Sequence, residues 1–216
     1  VGGPQSIGLK KKFLEDSQAD FILRGEGEVS LPLLLKAVLK EDGDLSEING
    51  LAMIKDGIFT ETPPEIIANL DALPLPAYHA SLQTDHSYGK LIFTGRGCPY
   101  QCAYCAPSPG KQQVRLRSIP LVLAEIKLNL QNNPDLKYII IMDDAFTLNR
   151  ERIEEFCRGM EEIRKDRDLV WYCECHVGRI KNWMDILPTM IAAGLIRLQI
   201  GIESGDQQVI DQYNKH

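Results

Sequence analysis

The sequence predicts an α/β protein organised on a parallel sheet. From residue 89 onward, short apolar runs alternate with helical segments of about 10–15 residues, which is typical of successive βα units. Four such units follow one another, and each apolar run is followed by residues that are polar or include cysteine. Because active sites on parallel barrels form where the strands end, this pattern favours an enzyme over a module that only folds.

The strands of these four units are predicted at 91–94, 138–142, 169–173 and 196–200. Their helices are predicted after a cap at Ser118, then at 149–163, at 183–193 and from residue 207 onward.

The first 44 residues have a looser pattern. Helical spacing covers 7–20, and the apolar run at 21–23 is predicted to be a buried parallel strand. A glycine-rich turn at 24–28 follows, and Ser30 is predicted to cap an apolar helix that has Pro32 in its first turn.

A connecting region is predicted at 45–88. Residues 51–60 have the pattern of a hairpin that turns at Asp56-Gly57. The stretch 71–78 contains two prolines and has no helical period, so it is predicted to be an ordered linker.

Composition excludes several classes of protein. The chain has 216 residues, 44% of them hydrophobic, and no apolar run of the length that spans a bilayer. A net charge of −6 argues against nucleic-acid binding, because phosphates need a basic face. The N-terminus has no pattern of a secretory signal, and the clustered cysteines indicate a metal site in a reducing compartment, so we expect a cytoplasmic protein. The chain also lacks an initiator methionine, so we expect it to be a piece of a longer protein.

Three of the six cysteines lie within eight residues. Cys98, Cys102 and Cys105 have the spacing C-x3-C-x2-C, in a loop that contains glycines and a proline. Clustered soft thiolates select zinc, copper(I) or iron–sulfur clusters. Most such sites use four protein ligands, so three local thiols indicate a metal centre with one open position. A zinc knuckle, or a disulfide with one remaining thiol, is the alternative.

This spacing, with an aromatic residue before the third cysteine, resembles the signature of the radical S-adenosylmethionine (SAM) superfamily. The resemblance implies that Cys98, Cys102 and Cys105 hold a [4Fe–4S] cluster whose fourth iron binds SAM. Tyr104 would lie beside the adenine. Cleavage of SAM to a 5′-deoxyadenosyl radical is the implied activity, on a partial parallel (β/α) barrel of which 89–216 would be the first four units.

Two later segments resemble motifs of the same superfamily. The segment "IIIMDDAFTLN" implies that Asp143 or Asp144 receives the amino group of SAM, although either could instead cap the following helix. The segment "LQIGIESGDQQVID" implies that Glu203, with Ser204, lies near the ribose or the polar end of SAM. Capping by Ser204 or Asp206 is the alternative there.

The N-terminal part resembles the cobalamin-dependent branch of the superfamily. The resemblance makes 1–44 the C-terminal end of a Rossmann-like B12-binding domain, in which Gly2 and Gly3 let the backbone approach the corrin. Residues 45–88 would be the hairpin and linker. The implied activity is cobalamin-dependent methyl transfer to a small-molecule substrate, with an electron donor such as flavodoxin or ferredoxin.

Three interpretations remain open at this point. A methylthiotransferase-type radical SAM enzyme without B12 would share the cysteine loop, and a zinc-binding structural module would have no turnover. The third concerns Cys173 and Cys175, which share one face of an extended strand while Glu174 and His176 share the other. The two thiols are predicted to be core residues, and a second metal site is the alternative.

Overall fold

The computed structural model describes residues 1–40, 43–77, 89–106, 113–177 and 184–215. Contacts divide the chain into two compact units. The first consists of Val1–Ala68 and the described part of Tyr104–Lys111, and the second consists of the described parts of Asn69–Ala103 and Gln112–His216. The end of the predicted linker, 78–88, lies outside the described residues.

In its described residues, the first unit contains a three-stranded antiparallel sheet and three α-helices. Its elements are α1 (Pro4–Leu9), α2 (Lys11–Ser17), β1 (Phe21–Leu23), α3 (Gly27–Lys40), β2 (Leu51–Lys55) and β3 (Ile58–Glu61). The strand order is β1-β2-β3. The predicted hairpin is confirmed: Asp56 and Gly57 have φ of 51° and 77°, the left-handed values that a tight two-residue turn needs.

Three details of this unit differ from the sequence prediction. The run at 21–23 pairs antiparallel with β2 and is not a parallel strand, because its partner is the hairpin that follows it. The helix predicted at 7–20 is broken at Lys10, whose φ is 46°. Helix α3 begins at Gly27, so Ser30 is not its cap and Pro32 lies inside it.

The second unit is built on the predicted parallel sheet. Its strands are β4 (Lys90–Ile92), β7 (Tyr138–Ile141), β8 (Val170–His176) and β9 (Leu195–Gly201), in that spatial order. A short antiparallel ribbon joins β5 (Gly95–Arg96) to β6 (Arg115–Leu116). The helices are α4 (Ile119–Asn132), α5 (Arg150–Arg164), α6 (Leu187–Ala192) and α7 (Gln207–Gln212).

Because the strands are added in chain order on one side, the sheet winds in one direction, as in a (β/α) barrel. A strand is present at each of the four predicted places. β4 ends two residues earlier than predicted, and β8 and β9 are longer than predicted. The start of the third helix, predicted at 183, lies outside the described residues, and its described part begins at Leu187.

The main core lies between this sheet and the helices α4 and α5. Alternate residues of β8 are buried, with Trp171 and Cys173 fully inside. The Trp171 ring makes edge contacts with Phe146 and Phe156, at centroid distances of 5.9 and 5.1 Å. Burying large aromatic side chains in this way is the main stabilising contribution to a small core. The sheet is therefore a rigid base for the loops at its carboxyl edge.

Candidate active site

The carboxyl ends of the parallel strands form one edge of the second unit. The segment after β4 leads through β5 into the cysteine loop, and the segment after β7 begins with Met142, Asp143 and Asp144. His176 ends β8, and its register partner is Gly201, the last residue of β9. The ends of β7, β8 and β9 and the segment that leads into the cysteine loop thus lie along the same edge. Glu174, Cys175 and His176, which were predicted to follow the third strand, are instead its last three residues, because β8 is longer than predicted.

Thr94 and Asp143 join the first two strand ends. The amide of Thr94 donates a hydrogen bond to Oδ1 of Asp143 at 2.6 Å, and its hydroxyl donates to Oδ2 at 2.5 Å. Both residues are buried, with 0% and 5% of their surface exposed. This pair fixes the backbone four residues before Cys98.

Burial dominates the electrostatics of Asp143. Desolvation raises the pKa of its carboxyl from 3.8 to about 6, while the hydrogen bonds from Thr94 and the charge of Arg152 act in the opposite direction. The exposed neighbour Asp144 faces solvent instead. Neither carboxylate caps α5, because Asn149 does so by accepting a hydrogen bond from the amide of Arg152 at 2.9 Å.

Two arginines donate hydrogen bonds to the same stretch of backbone, at Phe93 and Thr94. Arg152 donates from Nη2 to the carbonyl of Thr94 at 2.8 Å and from Nη1 to the carbonyl of Arg117. Arg117 donates to the carbonyl of Phe93 at 2.8 Å and pairs with the buried carboxylate of Glu125 at 2.5 Å. Arg117 therefore links the backbone just after β4 to helix α4.

The cysteine loop follows β5 and turns at Gly97, whose φ is 86°. Cys98 and Cys102 are partly exposed and Cys105 is exposed, and all three are thiols rather than disulfides. Within the described part of the chain, no group of three His, Cys, Asp or Glu side chains is arranged to hold a metal ion. The chemistry of the donor set fits a cluster bound through three thiolates, and the side chains would have to turn toward one point to bind it.

The cysteine loop is attached to the end of β8 and to the residues that follow α7. The ring of Tyr100 stacks on the ring of His176, with centroids 3.6 Å apart and planes inclined by 10°. The amide of Ala103 donates to the carbonyl of Tyr213 at 2.8 Å, and Asn214 donates to the carbonyl of Gln101 at 3.0 Å. Residues between 76 and 113 positions away in sequence therefore hold the loop in place.

The thiols of β8 are core residues, as predicted. Cys173 is fully buried, and desolvation raises its pKa well above the ordinary value. Cys175 is 6% exposed, and its sulfur accepts a hydrogen bond from the hydroxyl of Thr147 at 3.1 Å. Buried, protonated thiols of this kind are inert rather than metal-binding.

Glu203 lies just after β9 with a φ of 64°, a left-handed value that is uncommon for a residue with a side chain. Its carboxylate pairs with the amine of Lys215 at 2.7 Å, and Lys215 is only 5% exposed. Ser204 accepts a hydrogen bond from the amide of Asp206, and Asp206 caps α7 by accepting from the amide of Gln208. Asp206 is therefore the cap of α7, and Ser204 is not.

The predicted corrin contact lies in the first unit. Gly2 and Gly3 are exposed, and Gly3 has a φ of 97° with no atom within 4 Å of the position a Cβ would take. Tyr104 is 48% exposed. The roles of Tyr104, Asp143, Asp144, Glu203, Ser204, Gly2 and Gly3 toward cofactors remain predictions.

Sequence reasoning missed Thr94, Tyr100, Arg152 and Lys215. Thr94 gave a usable signal, because it is the polar residue that ends the first apolar strand. The other three act through contacts with residues far away in the chain, and nothing in their local sequence indicates those partners.

Fold and site together define a protein of the βα-barrel type whose first parallel strand leads into a loop with three cysteines. The family model described as the radical SAM superfamily matches residues 92–216, more than half of the chain. The chain therefore belongs to the radical SAM superfamily.

Curated relatives agree with this assignment. An uncharacterized methyltransferase of Pyrococcus horikoshii is 28% identical over 223 residues, which are 100% of this chain and 47% of that protein. The anaerobic magnesium-protoporphyrin IX monomethyl ester cyclase of Rubrivivax gelatinosus is 30% identical over 228 residues, 100% of this chain and 40% of that protein. The chain thus spans less than half the length of these relatives.

Solved structures show the same fold. The cobalamin-dependent S-adenosylmethionine radical enzyme OxsB, solved with aqua-cobalamin and S-adenosylmethionine bound, superposes with a TM-score of 0.82 at 23% identity, over 100% of this chain and 32% of that one. The radical S-adenosylmethionine methyltransferase TsrM from Kitasatospora setae gives a TM-score of 0.77 at 18% identity, over 99% of this chain and 43% of that one.

In the described residues, no helix is long and apolar enough to cross a membrane.

Proposed function

We propose that the protein containing this chain is a radical SAM enzyme in which Cys98, Cys102 and Cys105 hold a [4Fe–4S] cluster. The observation that supports this most strongly is the position of the three-cysteine loop. It follows the first strand of a parallel sheet whose other strand ends also carry polar residues, in a chain that belongs to the superfamily. When bound, the cluster supplies the electron with which SAM is cleaved to a 5′-deoxyadenosyl radical.

The residues of the chain divide the work of binding. Thr94, Asp143 and Arg152 hold the backbone that leads into the cysteine loop. Asp144 is the exposed carboxylate that would accept the ammonium of SAM through a charge-assisted hydrogen bond, because Asp143 is buried against Thr94. Glu203 would meet the ribose or the polar end of SAM, and Tyr104 would meet the adenine.

The same protein is proposed to use cobalamin for methyl transfer to a small-molecule substrate. Two proteins of similar fold, OxsB and TsrM, have been solved with cobalamin bound, and several curated relatives are named methyltransferases. The exposed Gly2 and Gly3 leave the backbone open for the close approach that a corrin ring needs. An electron donor such as flavodoxin or ferredoxin would reduce the cluster. We propose that the protein acts in the cytoplasm.

Anaerobic reconstitution of the full-length protein tests this function. The expected result is four irons and four sulfides per chain, formation of 5′-deoxyadenosine from SAM after reduction, and the absorbance of bound cobalamin. Stoichiometric zinc without sulfide would contradict it and support a structural zinc module. A Cys102→Ala variant is the matched control, since it removes one proposed ligand and should abolish 5′-deoxyadenosine formation.

A further inference from the structure

The stack of Tyr100 on His176 connects two very different parts of the second unit. Tyr100 lies in the irregular segment between Cys98 and Cys102, whereas His176 ends β8, an inner strand of the sheet. A separation of 3.6 Å between nearly parallel rings is full van der Waals contact. This contact therefore ties the position of the cysteine loop to the position of the end of β8.

The backbone of His176 is fixed by the pairing of its strand. Strand β8 pairs with β7 on one side and with β9 on the other, where His176 itself is in register with Gly201. The preceding residue, Cys175, is buried and accepts a hydrogen bond from Thr147. The imidazole ring therefore extends from a residue whose backbone is paired with β9.

The loop is fastened on both sides of Tyr100. Before it, Thr94 is bound to Asp143, and Gly95 and Arg96 pair with β6. After it, the backbone of Gln101 and Ala103 bonds to Asn214 and Tyr213. The ring contact at Tyr100 supplies a third attachment, and it falls midway between two of the proposed cluster ligands.

We propose that His176 is a positioning residue for the cysteine loop, which it acts on through the ring of Tyr100. This inference rests on the proposed function, because the loop matters to catalysis only if its thiols hold the cluster. Residues outside the ligand set orient ligands at metal sites and change metal affinity when they are replaced. Stacked ring pairs shift an equilibrium by about two- to tenfold, and we expect an effect of that size here.

The first test measures amide hydrogen exchange in the metal-free, full-length protein. His176→Ala should increase exchange of the amides from Tyr100 to Ala103 by about two- to tenfold and leave the amides of β7 and β9 unchanged. His176→Phe keeps a flat ring and should restore the slow exchange. Tyr172→Ala is the matched control, because Tyr172 lies on the same face of β8 and its ring contacts Tyr138 and Arg197.

Three results would overturn the inference. The first is that the loop exchanges equally fast in His176→Ala and in the wild type. The second is that His176→Phe exchanges as fast as His176→Ala, because a stacked ring at this position would then have no effect. Loss of protection across the whole sheet in His176→Ala would make His176 a residue of the fold rather than of the loop.

The second test measures SAM binding to the reconstituted protein, by the change it causes in the electron paramagnetic resonance spectrum of the reduced cluster. His176→Ala should weaken SAM binding by about two- to tenfold, and His176→Phe should restore it. A wild-type protein that forms no cluster would contradict the proposed function and leave the exchange result to stand alone. A wild-type protein that binds SAM no better than His176→Ala would overturn this inference and leave the proposed function intact.

Discussion

The hydroxyl and the amide of Thr94 both donate to the carboxylate of Asp143, at 2.5 and 2.6 Å. This pair joins the end of β4 to the end of β7 at the point where the chain turns toward the cysteines. It also places an ionisable group in the interior, next to Arg152. Thr94 and Asp143 therefore link the stability of the sheet edge to pH.

The contribution of Asp143 to the stability of the protein should fall as the pH rises from about 4.5 to 7.5. Burial raises the pKa of Asp143 to about 6 in the folded state, against 3.8 for an ordinary aspartate. The folded state therefore holds this proton over a range where the unfolded state has lost it, and the stabilisation is lost as the pH rises through about 6. At 1.36 kcal/mol per unit, the change is about 2 kcal/mol.

Urea unfolding of the wild type and of Asp143→Asn at both pH values measures this effect. The asparagine variant lacks the titrating group, so its stability relative to the wild type should improve by about 2 kcal/mol between the two pH values. Parallel pH profiles of the two proteins would contradict the prediction.

Thr94→Val should destabilise the protein by about 1–3 kcal/mol, because it removes the hydroxyl donor from a buried carboxylate without changing the shape of the side chain. The pKa of Asp143 should rise further, since the hydrogen bond from the hydroxyl lowers it. Thr94→Ser keeps the hydroxyl and loses one methyl group, at a cost of about 0.8 kcal/mol. Thermal and urea unfolding would distinguish them, and an equal loss in both variants would show that the hydroxyl is unimportant.

Replacing Cys98, Cys102 or Cys105 by alanine should abolish iron binding in the reconstituted protein with little loss of stability. The three thiols are partly or fully exposed, so their removal leaves no cavity in the core. Cys157 is the matched control, because it is fully buried and its pKa is raised to about 12 by desolvation. Cys157→Ala should cost about 1–2 kcal/mol and keep the iron. Iron lost equally in all four variants would contradict the ligand assignment.

Gly25→Ala should destabilise the first unit by more than about 2 kcal/mol. Gly25 has a φ of 95°, and a Cβ there would lie 2.0 Å from the carbonyl oxygen of Glu65. Gly27→Ala is the matched control, since its Cβ would enter open space at the start of α3, where alanine favours the helix. Hydrogen exchange of β1 and β2 would report both changes, and similar effects of the two substitutions would be contrary to expectation.

Much of the second unit was predictable because the signals are local. Each strand is a short apolar run, and each is separated from the next by a helical period. The hairpin in the first unit was predictable for the same reason, because Asp56-Gly57 is a turn signal on its own. The pairing of β1 was not predictable, since three apolar residues fit a parallel or an antiparallel neighbour equally well.

The choice between Asp143 and Asp144 shows the same limit within the site. Both faces of β7 are apolar, so the sequence does not indicate which of the two carboxylates continues the buried face. The structure places Asp143 in line with the buried Ile139 and Ile141, and leaves Asp144 exposed. Packing of the helix layer on one face of the sheet decides this, and that packing is not a local property.

The spacing of the three thiols and the polar residues near the strand ends follow from the order of amino acids alone, because both depend on neighbours along the chain. The contacts that hold the cysteine loop depend on the folded structure: Asp143 binds Thr94 before the loop, His176 stacks on Tyr100, and residues after α7 bond to Gln101 and Ala103. Those contacts join segments dozens to more than a hundred residues apart. They exist because parallel strands bring their carboxyl ends to one edge, whatever their distance in sequence.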